Sequence, residues 1–151
     1  MKFIGIDFGT SNSLASLFRN DSLQFVRFPD GQTSNPTILY FPEKSKQHFI
    51  GTDAVFRYLT MLEENHHQST GRLMLSIKSL LPESNFDHTT VVGFGRQTAE
   101  DLAARFLSVL KRYAEEQFNE KFEGVVLGRP VDFPELAVKR LGSGFLARTS
   151  R

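Results

Sequence analysis

The fold is decided by the first thirteen residues, which read Met1-Lys2-Phe3-Ile4-Gly5-Ile6-Asp7-Phe8-Gly9-Thr10-Ser11-Asn12-Ser13. Apolar residues at alternating positions favour a β-strand that runs into Asp7. Because glycine can take positive φ, Gly9 predicts a tight reversal whose backbone N–H groups point outward. The apolar pattern of residues 13–19 predicts a second strand, so the turn should lie at the mouth of a sheet.

This turn has the chemistry of a phosphate site. Outward N–H donors suit phosphate oxygens, and the side chains of Thr10, Ser11 and Asn12 add polar groups beside them. Asp7 supplies a carboxylate that could hold a magnesium ion through water. The alternative is an ordinary hairpin turn, since Asp, Gly, Ser and Asn are common wherever strands reverse. The strands on both sides of the turn favour phosphate binding.

Composition excludes several classes of protein. The chain has 40% hydrophobic residues, 23% charged residues and a net charge of +1, so it can bury a core and has no polyelectrolyte character that would indicate nucleic acid. No apolar run is long enough to span a bilayer, and the start of the chain does not resemble a signal peptide. The absence of cysteine excludes disulfides and fits a reducing compartment. We therefore expect a cytoplasmic protein that contacts neither nucleic acid nor membrane.

The pattern of the remaining chain predicts a definite order of elements. These are strands over 2–7, 13–19 and 23–28, a loop over 29–36, a strand over 37–41, a helix over 53–64 begun by Gly51-Thr52, a segment over 73–81, a short strand over 91–94, a helix over 99–119 and a strand over 124–127. The first three strands should be antiparallel, with Asn20-Asp21 as a tight turn. The run Gly124-Val125-Val126-Leu127 is wholly apolar, which predicts a strand buried on both faces and parallel to its neighbour.

The helix over 99–119 has the clearest signals. Thr98 can cap it, and the negative charge of Asp101 in the first turn can interact favourably with the exposed N–H groups. Its apolar stripe consists of Leu102, Phe106, Val109, Leu110 and Tyr113, which predicts a core-facing side and not a cofactor site.

Four segments resemble, in order, the opening of the DnaK-type (seventy-kilodalton heat-shock) chaperone family, in particular its shorter, divergent YegD-like members. They are Ile4-Gly5-Ile6-Asp7-Phe8-Gly9-Thr10-Ser11-Asn12-Ser13, Ser34-Asn35-Pro36-Thr37-Ile38-Leu39-Tyr40-Phe41, Ser76-Ile77-Lys78-Ser79-Leu80-Leu81 and Val125-Val126-Leu127-Gly128-Arg129-Pro130-Val131-Asp132-Phe133. The resemblance implies an α/β fold, namely an incomplete ribonuclease-H-like first lobe of the actin and DnaK type of ATPase. Residues 1–28 and 98–133 would form this partial lobe, and residues 29–97 a smaller inserted α+β subdomain.

The resemblance also implies roles for individual residues. Asp7 would lie near magnesium, and Gly9, Thr10, Ser11 and Asn12 would line the phosphates of ATP or ADP. Lys78 matches the family lysine that reaches the γ-phosphate and the attacking water, which suits a reaction that depends on positioning and on neutralising negative charge. A lysine taken alone is more often a solvated surface residue. In a full-length form, unfolded client proteins and co-chaperones would be further partners.

The end of the chain departs from the family pattern, which continues with a further helix and strand and then with a second lobe. Residues 134–151 form an atypical tail, which we interpret as a truncated or frame-shifted product, with a natural ending as the alternative. We therefore expect weak or no nucleotide binding and ATP hydrolysis by this chain alone, and an apolar sheet edge beside residues 125–127. A sugar kinase of the same superfamily and an actin-like filament protein are the alternative functions.

Overall fold

The computed structural model describes residues 2–128 apart from 44, 67, 69, 83–86, 88, 92 and 93, together with Lys139. The strands are β1 (Phe3–Phe8), β2 (Asn12–Arg19), β3 (Ser22–Phe25), β4 (Asn35–Pro36), β5 (Ile38–Pro42), β6 (Phe49–Ile50), β7 (Gly71–Leu75), β8 (Thr89–Val91), β9 (Gly95–Gln97) and β10 (Gly124–Gly128). The helices are α1 (Gly51–Glu64), α2 (Ala99–Phe118) and a short 3-10 helix (Ile77–Leu80). The architecture is mixed α/β, as predicted.

The main sheet has the strand order β10-β1-β2-β3, with β4 paired to β2. Strands β1, β2 and β3 are antiparallel neighbours, and β10 runs parallel to β1 with Ile4 opposite Val125. Asn20 and Asp21, between β2 and β3, both have positive φ, as the two central residues of a type I′ turn require. The predicted antiparallel order, the turn and the parallel β10 are all confirmed.

Helix α2 covers the inner face of this sheet. The rings of Phe8 and Phe106 lie 5.7 Å apart, and the predicted stripe is buried except for Tyr113, which is partly buried. The helix begins with a capping box, in which the Thr98 side chain accepts from the backbone N–H of Asp101 and the Asp101 carboxylate accepts from the backbone N–H of Thr98. The predicted cap and core face of this helix are confirmed.

The residues between β3 and α2 add β4 to the main sheet and form two smaller sheets, α1 and the 3-10 helix. One sheet has the order β6-β5-β7, with α1 packed on β5, and the other is the hairpin β8-β9. Helix α1 begins at Gly51, close to the predicted start, and β7 leads directly into the 3-10 helix that carries Lys78. Of the predicted strand over 91–94, Val91 closes β8, and residues 92 and 93 lie outside the described residues.

The prediction that β10 is buried on both faces is wrong. Val126 is 61% exposed and Phe3 is 46% exposed. Gly5 is the partner of Val126 in the parallel ladder, so both apolar side chains point to the outer face, away from α2. The outer face of β10 is therefore exposed at Val126.

Two other expectations concern the ends of elements. Strand β3 ends at Phe25 instead of residue 28. The N–H of Val26 still donates to the backbone oxygen of Ala15 on β2, whereas the N–H of Arg27 donates to the side-chain oxygen of Gln117 on α2 at 2.6 Å. The tail over 134–151 and the last residues of the fourth motif lie outside the described residues, Lys139 excepted. Across the described part of the chain, no helix is both long and apolar enough to cross a membrane.

Candidate functional site

The turn between β1 and β2 is accessible at its polar residues. Asp7, near the end of β1, is exposed, and so are Thr10, Ser11 and Asn12, whereas Gly9 is half-buried. Phe8, which separates Asp7 from the turn, is fully buried against α2. The buried ring fixes the base of the turn, so its polar groups are held at the surface on a rigid strand end.

Gly9 is needed for a reason that differs from the predicted one. Its φ lies outside the positive range in which other residues are strained, so the expectation of a positive φ is wrong. A Cβ at Gly9 would instead lie 2.0 Å from the backbone oxygen of Asn12, which is far inside any real contact. The chain reverses so tightly that the Asn12 carbonyl occupies the space of a side chain at Gly9.

Lys78 reaches this turn from 70 residues along the chain. It is only 8% exposed, and its ammonium group donates a hydrogen bond to the backbone oxygen of Phe8. The same nitrogen lies 5.8 Å from the centre of the Phe8 ring, at the outer limit of a cation–π contact. Ser76, just before the 3-10 helix, has a left-handed backbone with φ of 50°, and this turn redirects the chain from β7 into the helix that carries Lys78.

The charges at the turn influence each other. Burial lowers the pKa of Lys78, while the negative charge of Asp7 partly opposes this shift by raising it. Asp7 and Lys78 are therefore close enough to interact electrostatically. The structure thus brings together the predicted carboxylate, the predicted turn and the predicted lysine.

The donor set at the turn fits one kind of metal ion. No group of three or more His, Asp or Glu side chains able to hold a metal occurs within the described residues. Magnesium commonly keeps several waters and binds through one or two carboxylates together with phosphates. The single exposed carboxylate of Asp7, next to a turn with outward polar groups, fits that mode of binding.

Three further polar residues support the turn from below and were not predicted as part of the site. Ser13, Asn35 and Thr37 are all buried. The hydroxyl groups of Ser13 and Thr37 lie 2.8 Å apart and share a hydrogen bond, and the N–H of Thr37 donates to the backbone oxygen of Ser11 at 2.8 Å. All three belong to motifs quoted from the sequence, Ser13 to the first and Asn35 and Thr37 to the second. Serine, threonine and asparagine next to a strand usually signal only a loop, so the sequence offers no reason to place them in the site.

Two cavities lie away from the candidate turn. Cavities of about 440 and 450 Å³ flank α1, and both are lined by Phe49, Asp53 and Arg57. Neither is lined by Asp7, the turn or Lys78.

The chain is similar in sequence to DnaK chaperones. It is 28% identical over 130 residues to "Chaperone protein DnaK" of Mesomycoplasma hyopneumoniae and 29% identical over 130 residues to that of Mycoplasmopsis agalactiae, in each case over 86% of this chain and 19% of the relative. The DnaK of Mycoplasmoides gallisepticum is 28% identical over 131 residues, which cover 86% of this chain and 20% of the relative. No protein-family model matches the chain.

These similarities support a DnaK-like relationship for most of the chain. The chain spans about a fifth of the length of the curated relatives it matches. The mixed α/β architecture is compatible with an ATPase lobe of the DnaK and actin type.

Proposed function

We propose that this chain is a nucleotide-binding module of the DnaK type, which takes the phosphates of ATP or ADP together with magnesium at the turn after β1. One observation carries the proposal. Lys78 and Asp7, 71 positions apart in the sequence, meet at a tight glycine turn whose polar residues are exposed. A cation, a carboxylate and a turn rich in N–H donors form a combination suited to a magnesium-bound phosphate.

The proposed fold assignment is a partial ribonuclease-H-like lobe over residues 1–28 and 98–133, with residues 29–97 as an inserted subdomain. Its support is the order of the elements. Three antiparallel strands lead, after the two smaller sheets and α1, into α2 and the parallel strand β10. The insertion places Lys78 across from the turn, so the proposed site is formed where the two parts meet.

Each residue has a proposed role. Asp7 holds magnesium through water, and Gly9, Thr10, Ser11 and Asn12 surround the phosphates. Magnesium, when bound, neutralises negative charge on the phosphate oxygens. Lys78 supplies a fixed positive charge from a buried position, where a charge acts more strongly than in water.

The proposed site has one cation, one carboxylate and one turn. Tight nucleotide binding generally combines several charge-assisted hydrogen bonds, each of which contributes separately. We therefore expect residues 1–151 alone to bind MgATP weakly, with a dissociation constant on the order of 1 mM, which corresponds to about 4 kcal/mol of binding free energy. ATP hydrolysis, client proteins and co-chaperones belong to the proposal for a longer DnaK-like protein and not for this chain by itself.

The DnaK similarities favour a chaperone-type module over a sugar kinase or an actin-like filament protein. Assignment to the YegD-like branch is a further part of the proposal. It is supported by the motif around Arg129-Pro130, where the main chaperones have Val-Pro, and these two residues lie outside the described residues.

A titration followed by nuclear magnetic resonance tests the proposal, because amide shifts detect weak binding. MgATP is added to wild type, to Asp7→Ala and to the control Asp87→Ala, whose carboxylate is exposed and pairs with Arg96. We expect shifts at the amides of residues 9–12 in wild type and in the control, and a loss of their magnesium dependence in Asp7→Ala. Shifts confined to the cavities beside α1, or none at the turn, would overturn the proposed function.

A further inference from the structure

Two hydrogen bonds join the candidate turn to the inserted residues. Ser13 is 2% exposed and Thr37 is fully buried, and their hydroxyl oxygens lie 2.8 Å apart. The N–H of Thr37 also donates to the backbone oxygen of Ser11 at 2.8 Å. A hydrogen bond between two buried hydroxyl groups is specific in its geometry, because each group would lose its partner if the two segments moved apart.

A second contact continues from this pair to the start of α1. Asn35 is the partner of Ser13 in the β2–β4 ladder, and its side-chain oxygen accepts from the N–H of Thr52 at 3.2 Å. A Cβ at Gly51 would lie 1.8 Å from that oxygen, and Gly51 has φ of +62°. The first turn of α1 is thus packed directly against the side chain of Asn35.

The same inserted residues carry Lys78. Thr37 is followed at once by β5, in which Ile38 is the partner of Leu75 on β7. Lys78 comes three residues after Leu75, on the 3-10 helix. The contact between Thr37 and Ser13 therefore sets the position of the β6-β5-β7 sheet relative to the turn. This sheet leads into Lys78.

We propose that the Ser13–Thr37 hydroxyl pair is a positioning contact that holds Lys78 against the turn at Gly9. Thr37 and Ser13 are thus positioning residues, acting through the backbone and through Lys78 and not on a ligand themselves. The role of Lys78 at the turn rests on the proposed function, whereas the hydrogen bond between Ser13 and Thr37 does not depend on nucleotide. Loosening the pair should free the Lys78 ammonium group from the Phe8 carbonyl without unfolding the sheet.

The test measures the reactivity of Lys78 without nucleotide. Wild type, Thr37→Val and Thr37→Ser are treated briefly with acetic anhydride, and the acetylation of each lysine is followed by mass spectrometry, with exposed Lys121 as the internal reference. Valine keeps the shape of threonine and removes the hydroxyl, whereas serine keeps the hydroxyl. Thr60→Val is the matched control, because the Thr60 hydroxyl bonds only within α1 in the contacts described, to the backbone oxygen of Phe56.

We expect Thr37→Val to raise the acetylation rate of Lys78 about fivefold relative to Lys121, the factor that corresponds to one hydrogen bond of about 1 kcal/mol. Thr37→Ser and Thr60→Val should stay within about twofold of wild type. Hydrogen exchange gives a second readout, because the Thr52 amide is held by Asn35. It should exchange faster in Thr37→Val, while the β5–β7 amides keep their rates.

Three other results would each contradict the proposal. A Lys78 rate in Thr37→Val equal to that of wild type shows that the pair does not position the lysine. Equal acceleration by serine and valine shows that the methyl packing matters and not the hydroxyl. Loss of the circular dichroism signal in Thr37→Val shows that the pair determines the fold as a whole. The MgATP titration is separate, so a failure of nucleotide binding refutes the proposed function and leaves the acetylation result standing.

Discussion

Replacing Gly9 with alanine tests the geometry of the turn directly. The added Cβ would lie 2.0 Å from the backbone oxygen of Asn12, whereas ordinary contacts begin at 3.4 Å. The obstructing atom belongs to the backbone, so it cannot swing aside as the end of a flexible side chain could. The turn must open, and the ladder between β1 and β2, in which Phe8 is the partner of Ser13, must adjust with it.

The expected cost of Gly9→Ala is that of forcing extra volume into a packed site, about 1–3 kcal/mol of unfolding free energy. For a chain of this length each kcal/mol lowers Tm by roughly 2–4 °C, so Tm should fall by roughly 2–12 °C. The positive-φ penalty does not contribute, because Gly9 does not have a positive φ. The same opening should remove the MgATP-dependent shifts at the turn, since residues 9–12 would no longer keep their present geometry.

Gly5→Ala is the matched control, because it lies on the same strand. A Cβ at Gly5 would meet Ser16 at 3.4 Å and 3.5 Å, which are ordinary contacts. Glycine is unfavourable inside a strand, so this change should alter stability by less than about 1 kcal/mol in either direction. Thermal and urea unfolding are followed by circular dichroism for both variants. Equal midpoints for Gly9→Ala and Gly5→Ala would refute the close approach at the turn.

Four further changes probe the charges and the main helix. Burial lowers the pKa of Lys78, so the unfolded chain binds that proton more tightly, and the stability of wild type relative to Lys78→Met should rise in urea titrations as the pH increases through the folded pKa towards the ordinary value of 10.5. Glu115 is largely buried; burial raises its pKa, but hydrogen bonds from a backbone N–H and two lysines outweigh this and lower it. Glu115→Gln should therefore lose about 1–3 kcal/mol at neutral pH, a loss that disappears as the pH falls below the ordinary value of 4.5 and through the folded pKa. Glu116→Gln, whose partner Arg112 is as exposed as Glu116 itself, should change stability by less than about 1 kcal/mol at any pH. Thr98→Ala removes the capping box and should cost about 1 kcal/mol in the same unfolding assay.

Local signals predicted the main elements well. Three features depend only on residues that are close together in the chain, so the sequence pattern is enough to predict them. They are the cap at Thr98, the apolar stripe of α2 and the Asn20-Asp21 turn. The parallel pairing of β10 with β1 is not local, yet it could be predicted because the run 124–127 is wholly apolar, as is typical of strands in parallel sheets. Where chain geometry follows from short-range pattern, prediction and structure agree.

The candidate site could be predicted only in part. The turn residues and Lys78 were named from motifs, but their proximity depends on a hydrogen bond to the carbonyl of Phe8 across 70 positions. The hydrophobic periodicity of a sequence cannot predict a contact between residues so far apart in the chain. The role of Gly9 shows the same limit, because sequence indicates that glycine is required but cannot tell a positive φ from a lack of space, and the structure shows the second.

The exposure of β10 shows why burial is harder to predict than pairing. An apolar run with no alternation, such as residues 124–127, is typical of a strand covered on both faces. Pairing needs only the neighbouring strand, and β1 supplies it, whereas burial of the outer face needs another layer of structure. Phe3 and Val126 lie on that face, and Phe18 on β2 is exposed as well. The sequence of β10 is thus suited to a fully covered strand, and within the described residues it is covered on the α2 side alone.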